Sequence, residues 1–385
     1  MAQRPNSHAA VVDRGLADLL RSSGWWITVY TDASMDTADP RGVEQARRRS
    51  VLDQLQHRGV PDDQLSELSD ALEGTDGVPS PATRYLLACD GRIVHNQVLP
   101  GAPVGAQVVE AGPIPHLAPL LRHRNDEIVY LVVQAGRDGG EVDVLRSTAA
   151  VPEASDAVQG RTDTLKKFQG GGWAHLRFQR HTEAIWKQTE TELAAVVDRL
   201  AQEHRPRLIV VSGDVRARQY LKEQLSSRSQ ELVAELNVNT RGDGASEATL
   251  QEFVDQQLNE IADSDRRQDL DRLATELGKE GGAAERGIGW TVHTLRQAQV
   301  EVLFVDPDTL ADRTLLALDS EPWVAAAPED AEPAKPLGDV PAAEALLRAA
   351  VLTDAAVRIV PSTMLPDGAG AAGLLRWGTE PPTGG

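Results

Sequence analysis

A chain of 385 residues is too long for a single core; with only one cysteine, Cys89, it cannot hold an internal disulfide or a thiolate metal cluster, and its formal charge of −19 disfavours a polyanionic partner when read globally. Its 41% hydrophobic and 25% charged residues suit folded units, of which the length predicts three, with only the N-terminal dozen residues and the extreme C-terminus lacking a folding composition. No apolar run approaches the roughly 18 residues that span a bilayer, and Met1-Ala2-Gln3-Arg4-Pro5 has no signal-peptide apolar core, so the expectation is a cytoplasmic protein.

The predicted domains are 1–121, 122–243 and 244–385. In the first, Trp25 to Tyr30 has the bulky and β-branched residues of a strand, closed by turn residues from Thr31-Asp32 onward. A polar helix over 42–58 carries Arg47-Arg48-Arg49, with Val51, Leu52 and Leu55 as its apolar stripe. Segments 84–89 and 92–98 flank Asp90-Gly91, a pair suited to the tight turn of a hairpin. The Pro- and Gly-rich stretch 100–119 reads as a link outward. In the second domain, the apolar run within 127–134 predicts a strand buried on both faces, and Val142 and Val144 beyond a Gly-rich turn predict its hairpin partner. A polar loop then leads to a helix over about 176–203, ended by Pro206. A strand at 208–211, a turn at 212–214 and a helix over 215–225 make an alternation that implies a partly parallel sheet, with a last strand within 232–238. The third domain opens on an acidic helical stretch from about 245 with Gly278 and Gly281-Gly282 interrupting it. A helix around Val292 and Leu295, a strand at 300–305, an acidic Pro-rich insertion at 321–336, a helix at 342–352 and a strand at 356–360 follow. The fold class is therefore α/β: a middle domain with a mixed sheet and flanking helices, and a small C-terminal αβα sandwich.

Charge is unevenly spread. From Arg161 to Lys187 there are six Lys or Arg (Arg161, Lys166, Lys167, Arg177, Arg180, Lys187) against Asp163 and Glu183, with His175 and His181 alongside. Charge patterning alone leaves a solvated helix face as open as an RNA contact. Inside this island lies Gly170-Gly171-Gly172-Trp173. Three glycines between a hairpin and a long helix cost folding entropy without packing, as functional loops do. An aromatic among cations has the chemistry for RNA, because the cations neutralise phosphates while the ring stacks on a base; a surface loop whose Trp tucks into a neighbouring domain fits the same residues.

Here the sequence resembles the middle domain of the class 1 release factors of archaea and eukaryotes and of the related Pelota and Vms1 proteins. Their loop bears Gly-Gly-Gln, a small residue and Arg-Phe-x-Arg; this chain has Gly171-Gly172-Trp173-Ala174, then Leu176-Arg177-Phe178-Gln179-Arg180 and Glu183. A second patch, 283–297 with 300–305, 356–360 and 368–377, resembles their terminal domain, so the resemblance covers roughly 127–377. The bacterial branch with the ribosome hibernation factor Balon and its actinobacterial counterparts is the group it resembles most.

The departure from the motif decides the expected chemistry. In release factors the glutamine helps position the attacking water, whereas an indole has one donor and no comparable acceptor, so Trp173 cannot take that role and no catalysis is expected. The resemblance implies a hibernation factor in the A site of inactive ribosomes, touching 16S and 23S rRNA, with the elongation factor EF-Tu as delivery partner. The residues expected at RNA are Lys166, Lys167, Gly170, Gly171, Gly172, Trp173, His175, Arg177 and Arg180, with Arg47 and Arg48 toward the decoding centre. Two alternatives stay open: a Vms1-like peptidyl-tRNA hydrolase or tRNA endonuclease working through Gln169, Gln179 or His175, and an acidic protein-binding scaffold. No cofactor is predicted, since the glycine pairs near 281 and 287 lack a dinucleotide-loop spacing. No metal is predicted either: His175 and His181 cannot share a site on one helix, and Asp32, Asp36 and Asp39 read as turn residues.

Overall fold

The computed structural model describes residues 14–75, 78, 80–124, 127–136, 139–149, 151–159, 173–237 and 244–378. They form two compact units, one of residues 1–126 with 263–385 and one of residues 127–262.

The first unit begins with helix α1 (Arg14–Leu19) and strand β1 (Trp26–Asp32), followed by α2 (Pro40–His57), α3 (Asp62–Ala71), β2 (Ala82–Cys89), β3 (Arg92–Pro100), β4 (Val108–Gly112) and α4 (Ala118–His123). Asp39 caps α2 by accepting from the Gly42 N–H at 3.0 Å, with Pro40 at the first helical position. The β2–β3 turn is the expected tight one, with both Asp90 and Gly91 at positive φ. These strands make an antiparallel sheet of order β3-β2-β1-β4. One face packs Ile27, Val29, Leu86 and Ala88 against Val51, Leu55 and Leu68 of the two helices. The stretch 100–119 is thus not a link outward: its Val108–Gly112 pairs with β1, and Leu117 and Ala118 enter the core. Pro and Gly mark its turns, and the strand between them is too short for its alternation to show in sequence.

The second unit holds β5 (Val129–Gly136), β6 (Gly139–Arg146), β7 (Ala154–Gln159), α5 (Trp173–His204), β8 (Leu208–Gly213), α6 (Val215–Gln224), α7 (Ser227–Glu231) and β9 (Val233–Glu235), and α8 (Gly244–Leu277) begins in it. Its sheet runs β7-β6-β5-β8-β9; β5, β8 and β9 are parallel, while β6 runs antiparallel to both of its neighbours, β5 and β7. The sheet is mixed, as expected, and its central strands are covered on both faces. Leu131, Val133, Val142 and Val144 on one face meet Leu193, Val197 and Leu200 of α5 and Ala217 and Leu221 of α6. Tyr130, Val132, Leu208 and Val210 on the other meet Leu250, Val254 and Leu258 of α8. The expected last strand is shorter than 232–238, spanning three residues.

The C-terminal part of the first unit contains β10 (Ala284–Arg286), α9 (Ile288–Arg296), β11 (Val300–Val305), β12 (Thr314–Leu318), β13 (Val324–Ala325), β14 (Pro336–Pro341), α10 (Ala342–Leu352), β15 (Ala356–Ile359) and β16 (Ala371–Leu375). Its main sheet is β10-β16-β11-β15. Val302 and Phe304 face Leu273 of α8, while Val300, Leu303 and Val305 face α9 and α10, giving the expected αβα sandwich. The acidic insertion is not a plain loop: within it β13 and the start of β14 pair with β12 as a three-stranded sheet.

Candidate functional site

The site is built around α5. Leu193 lies against Gly140, where a Cβ would overlap the leucine side chain, and Gly140 pairs with Ala135 near the C-terminal end of β5. From there the helix descends past buried Val197 and Leu200 to Arg205, whose φ of +50° ends it, and the Arg207 N–H donates to the Val129 carbonyl at 2.8 Å at the start of β5. Thr189 and Glu190, one turn before Leu193, are buried as well, so the covered part of α5 runs at least from Thr189 to Leu200. The 16 residue steps from Trp173 to Thr189 add about 24 Å of helix at 1.5 Å each.

The helix begins at Trp173 rather than near 176, so the residue standing where release factors have glutamine is the first helical one. His175, Arg177 and Arg180 follow within its first turns. On an ideal helix of 100° per residue, positions 173, 177, 180 and 187 fall within an arc of about 80°, and the side chains of residues 173–187 lie outside the described ones. Position 175 lies outside the arc, and Lys166, Lys167, Gly170, Gly171 and Gly172 lie outside the described residues.

The anchored half of α5 is fixed by charge as well as packing. Arg199 bridges Asp156 of β7 at 2.5 Å and Glu203 at 3.1 Å, and Asp198 accepts from the Ser226 N–H and from the hydroxyls of Ser226 and Ser229. Next to it, Gly213 takes a φ of +110° that brings its Cα against the Ala135 carbonyl, and the Asp214 N–H donates to that same oxygen at 3.0 Å. Asp214 then caps α6, accepting from the N–H groups of Arg216 at 2.9 Å and Ala217 at 3.3 Å.

Arg47 and Arg48 lie on α2 in the other unit, where each meets an acid. Arg47 pairs with Asp32 and donates to the Ser34 carbonyl at 2.5 Å; Arg48 pairs with Glu73. A phosphate arriving there would have to displace a carboxylate, whereas neighbouring Arg49 is exposed and makes no ion pair among the described residues. Arg84, buried at 2% exposure, donates to the carbonyls of Ala71, Glu73 and Gly74 and holds the chain after α3. Among the described residues no three His, Cys, Asp or Glu side chains are placed to hold a metal ion, and no helix is long and apolar enough to cross a membrane.

Residues 129–279, from β5 to the end of α8, match the family model described as bacterial archaeo-eukaryotic release factor family 2. The middle of this chain is release-factor-like. Two uncharacterized proteins of Mycobacterium tuberculosis, from strains CDC 1551 / Oshkosh and H37Rv, are each 25% identical over 366 residues, covering 93% of this chain and 95% of the relative. Among solved structures, Archaeoglobus fulgidus Pelota is similar at 18% identity with a TM-score of 0.34, over 78% of this chain and 81% of Pelota. An archaeal Pelota in a model of the ribosome-bound protein with ABCE1 has 12% identity and a TM-score of 0.41, over 99% of both chains. The archaeal termination factor aRF1 has 16% identity and a TM-score of 0.23, over 94% and 96%.

In the release-factor-like segment, the sequence locates the basic arc of α5 through its cations and glycines. It does not point to the exposed pair Val215 and Arg216. No motif marks them, because they gain their position only from β8 ending beside β5.

Proposed function

We propose that this chain is a ribosome-binding factor that occupies the A site of inactive ribosomes, directing the 170–180 segment toward the peptidyl-transferase centre without hydrolysing peptidyl-tRNA. The observation that carries this reading is the family match over 129–279, read together with a helix that starts at Trp173, about 24 Å before its buried Thr189. A helix in that position can carry a glycine run and a cationic arc into an RNA cavity while the sheet stays outside. The indole at position 173 supplies a stacking surface, and it lacks the acceptor that would orient water for attack. EF-Tu is the delivery partner this reading names.

Ribosome co-sedimentation over a KCl series tests it. The wild-type chain is expected to pellet with ribosomes at low salt and to dissociate steeply as salt rises, as phosphate-neutralising binders do. Arg177→Ala/Arg180→Ala is expected to weaken pelleting roughly tenfold or more, from about 1 kcal/mol or more lost per charge-assisted contact. Pelleting unaltered in that variant would remove the α5 arc from the interface. In a peptide-release assay on stalled ribosomes the wild type is expected to leave peptidyl-tRNA intact. Release that is lost on changing Gln169, Gln179 or His175 would instead establish a hydrolase.

A further inference from the structure

In the second unit, most of the described cations of α5 and α6 are already paired. Arg199 is held by Asp156 and Glu203, and both Arg218 and Lys222 reach Glu235. Arg216 differs. Its side chain is exposed, and its guanidinium makes no ion pair or hydrogen bond among the described residues. The acid nearest in sequence, Asp214, spends its carboxylate on the backbone N–H groups of Arg216 and Ala217. Those peptide donors are thereby satisfied, so what the first turn of α6 offers a partner is its side chains. Beside Arg216, Val215 is 59% exposed, an apolar side chain outside the core.

The place of this pair in the fold gives it meaning. Gly213 packs on Ala135, so α6 starts at the edge where β5 ends. Gly140, against which Leu193 lies, pairs with that same Ala135. Both helices cover one face of the sheet, since Leu193 and Ala217 share a core. Val215 and Arg216 therefore lie at the end of the sheet against which Leu193 packs, the end from which α5 runs back toward Trp173. Glu141, the exposed acid at this end of β6, alternates with Gly140 and Val142 and so belongs to the opposite face. A cation with an apolar neighbour and no ion pair among the described residues suits a phosphodiester strand: the guanidinium takes a phosphate oxygen and Val215 covers the adjoining sugar.

We propose that Val215 and Arg216 form a second RNA contact at this end of the sheet, so that the bound strand meets both helices. This rests on the ribosome-binding reading, and the test separates the two. Co-sedimentation with ribosomes over a KCl series compares the wild-type chain with Arg216→Ala, Arg216→Lys and Arg228→Ala. Arg228 is an equally exposed arginine on α7, at the opposite end of the sheet, and serves as the control. Arg216→Ala is expected to weaken low-salt binding about three- to tenfold and to flatten the log affinity against log salt slope by about one, while Arg216→Lys retains the slope and Arg228→Ala matches the wild type. Arg216→Ala binding like the wild type, while Arg177→Ala/Arg180→Ala binds weakly, overturns this contact and leaves the α5 reading intact. Equal losses from Arg216→Ala and Arg228→Ala also overturn it, since they report net charge alone. A wild-type chain that fails to pellet at the lowest salt overturns both.

Discussion

At the scale of single residues, His123 has both ring nitrogens engaged. The Val104 N–H donates to the Tyr30 hydroxyl oxygen at 2.8 Å, Tyr30 Oη lies 2.9 Å from His123 Nδ1, and His123 Nε2 lies 2.8 Å from the Pro100 carbonyl. A carbonyl can only accept, so Nε2 carries the proton, Nδ1 accepts from tyrosine, and the ring is neutral. Burial, above all, holds the histidine below its ordinary value of 6.5. A histidine whose native pKa is depressed binds its proton more weakly folded than unfolded. Its contribution is therefore complete above about pH 6.5 and is lost as pH falls from there toward the native value. Calorimetry at pH 7.5, 6.5 and 5.5 is expected to show a smaller acid-induced fall in Tm for His123→Gln than for the wild type. Parallel falls in the two proteins would show that this network does not sense the proton.

At the scale of elements, α5 joins two different physical regimes. Its anchored half has a buried seam at Thr189, Leu193, Val197 and Leu200, spaced to fall on one face. Leu193→Ala, which empties the position against Gly140, is expected to destabilise the second unit by about 2–5 kcal/mol. Urea unfolding followed by circular dichroism reads this, and a loss below about 1 kcal/mol would mean that the helix is anchored elsewhere. The same variant should weaken ribosome pelleting only as far as the unit unfolds, because the arc at 173–187 is set by sequence within the helix and not by the leucine. The sequence reading places this helix within a few residues, since its apolar spacing and the breaking Pro206 are local signals. Its start at Trp173 escapes that reading because a glycine run followed by a single aromatic contains no cap or stripe to mark the first turn.

At the scale of the whole molecule, the first unit unites residues far apart in sequence. Helix α10 is buried along its entire length, and its two charged residues both reach N-terminal backbone. The Glu344 carboxylate accepts from the N–H groups of Leu117 at 2.6 Å and Ala118 at 3.2 Å, with His116 Nδ1 at 3.6 Å. One turn on, Arg348 donates to the carbonyls of Leu20 at 3.1 Å and Leu318 at 2.9 Å, with Trp323 against its guanidinium. Burial pushes the Glu344 carboxyl up despite these donors and brings Arg348 down to about 10. Glu344→Ala strands two buried N–H groups, at about 1–3 kcal/mol each, whereas Glu344→Gln keeps an acceptor oxygen. Limited proteolysis and denaturant midpoints are expected to rank wild type above Glu344→Gln and Glu344→Gln above Glu344→Ala. Equal stability of all three would remove Glu344 from the contact between the two ends of the chain.

Local order was determined by sequence alone. Helix α10 is read at 342–352 and β11 at 300–305, because apolar periodicity and flanking turn residues act over a few positions, and the cations of α5 are visible as an island of composition. What stands beside what was decided only by tertiary structure. The pairing of β4 with β1, the capping of Leu117 and Ala118 by Glu344, the engagement of Arg47 with Asp32, and the arrival of Arg216 at the sheet end where Leu193 packs all depend on contacts between distant segments. Such contacts leave no periodicity in the chain, because the partners share no local pattern and meet only when apolar faces are buried together.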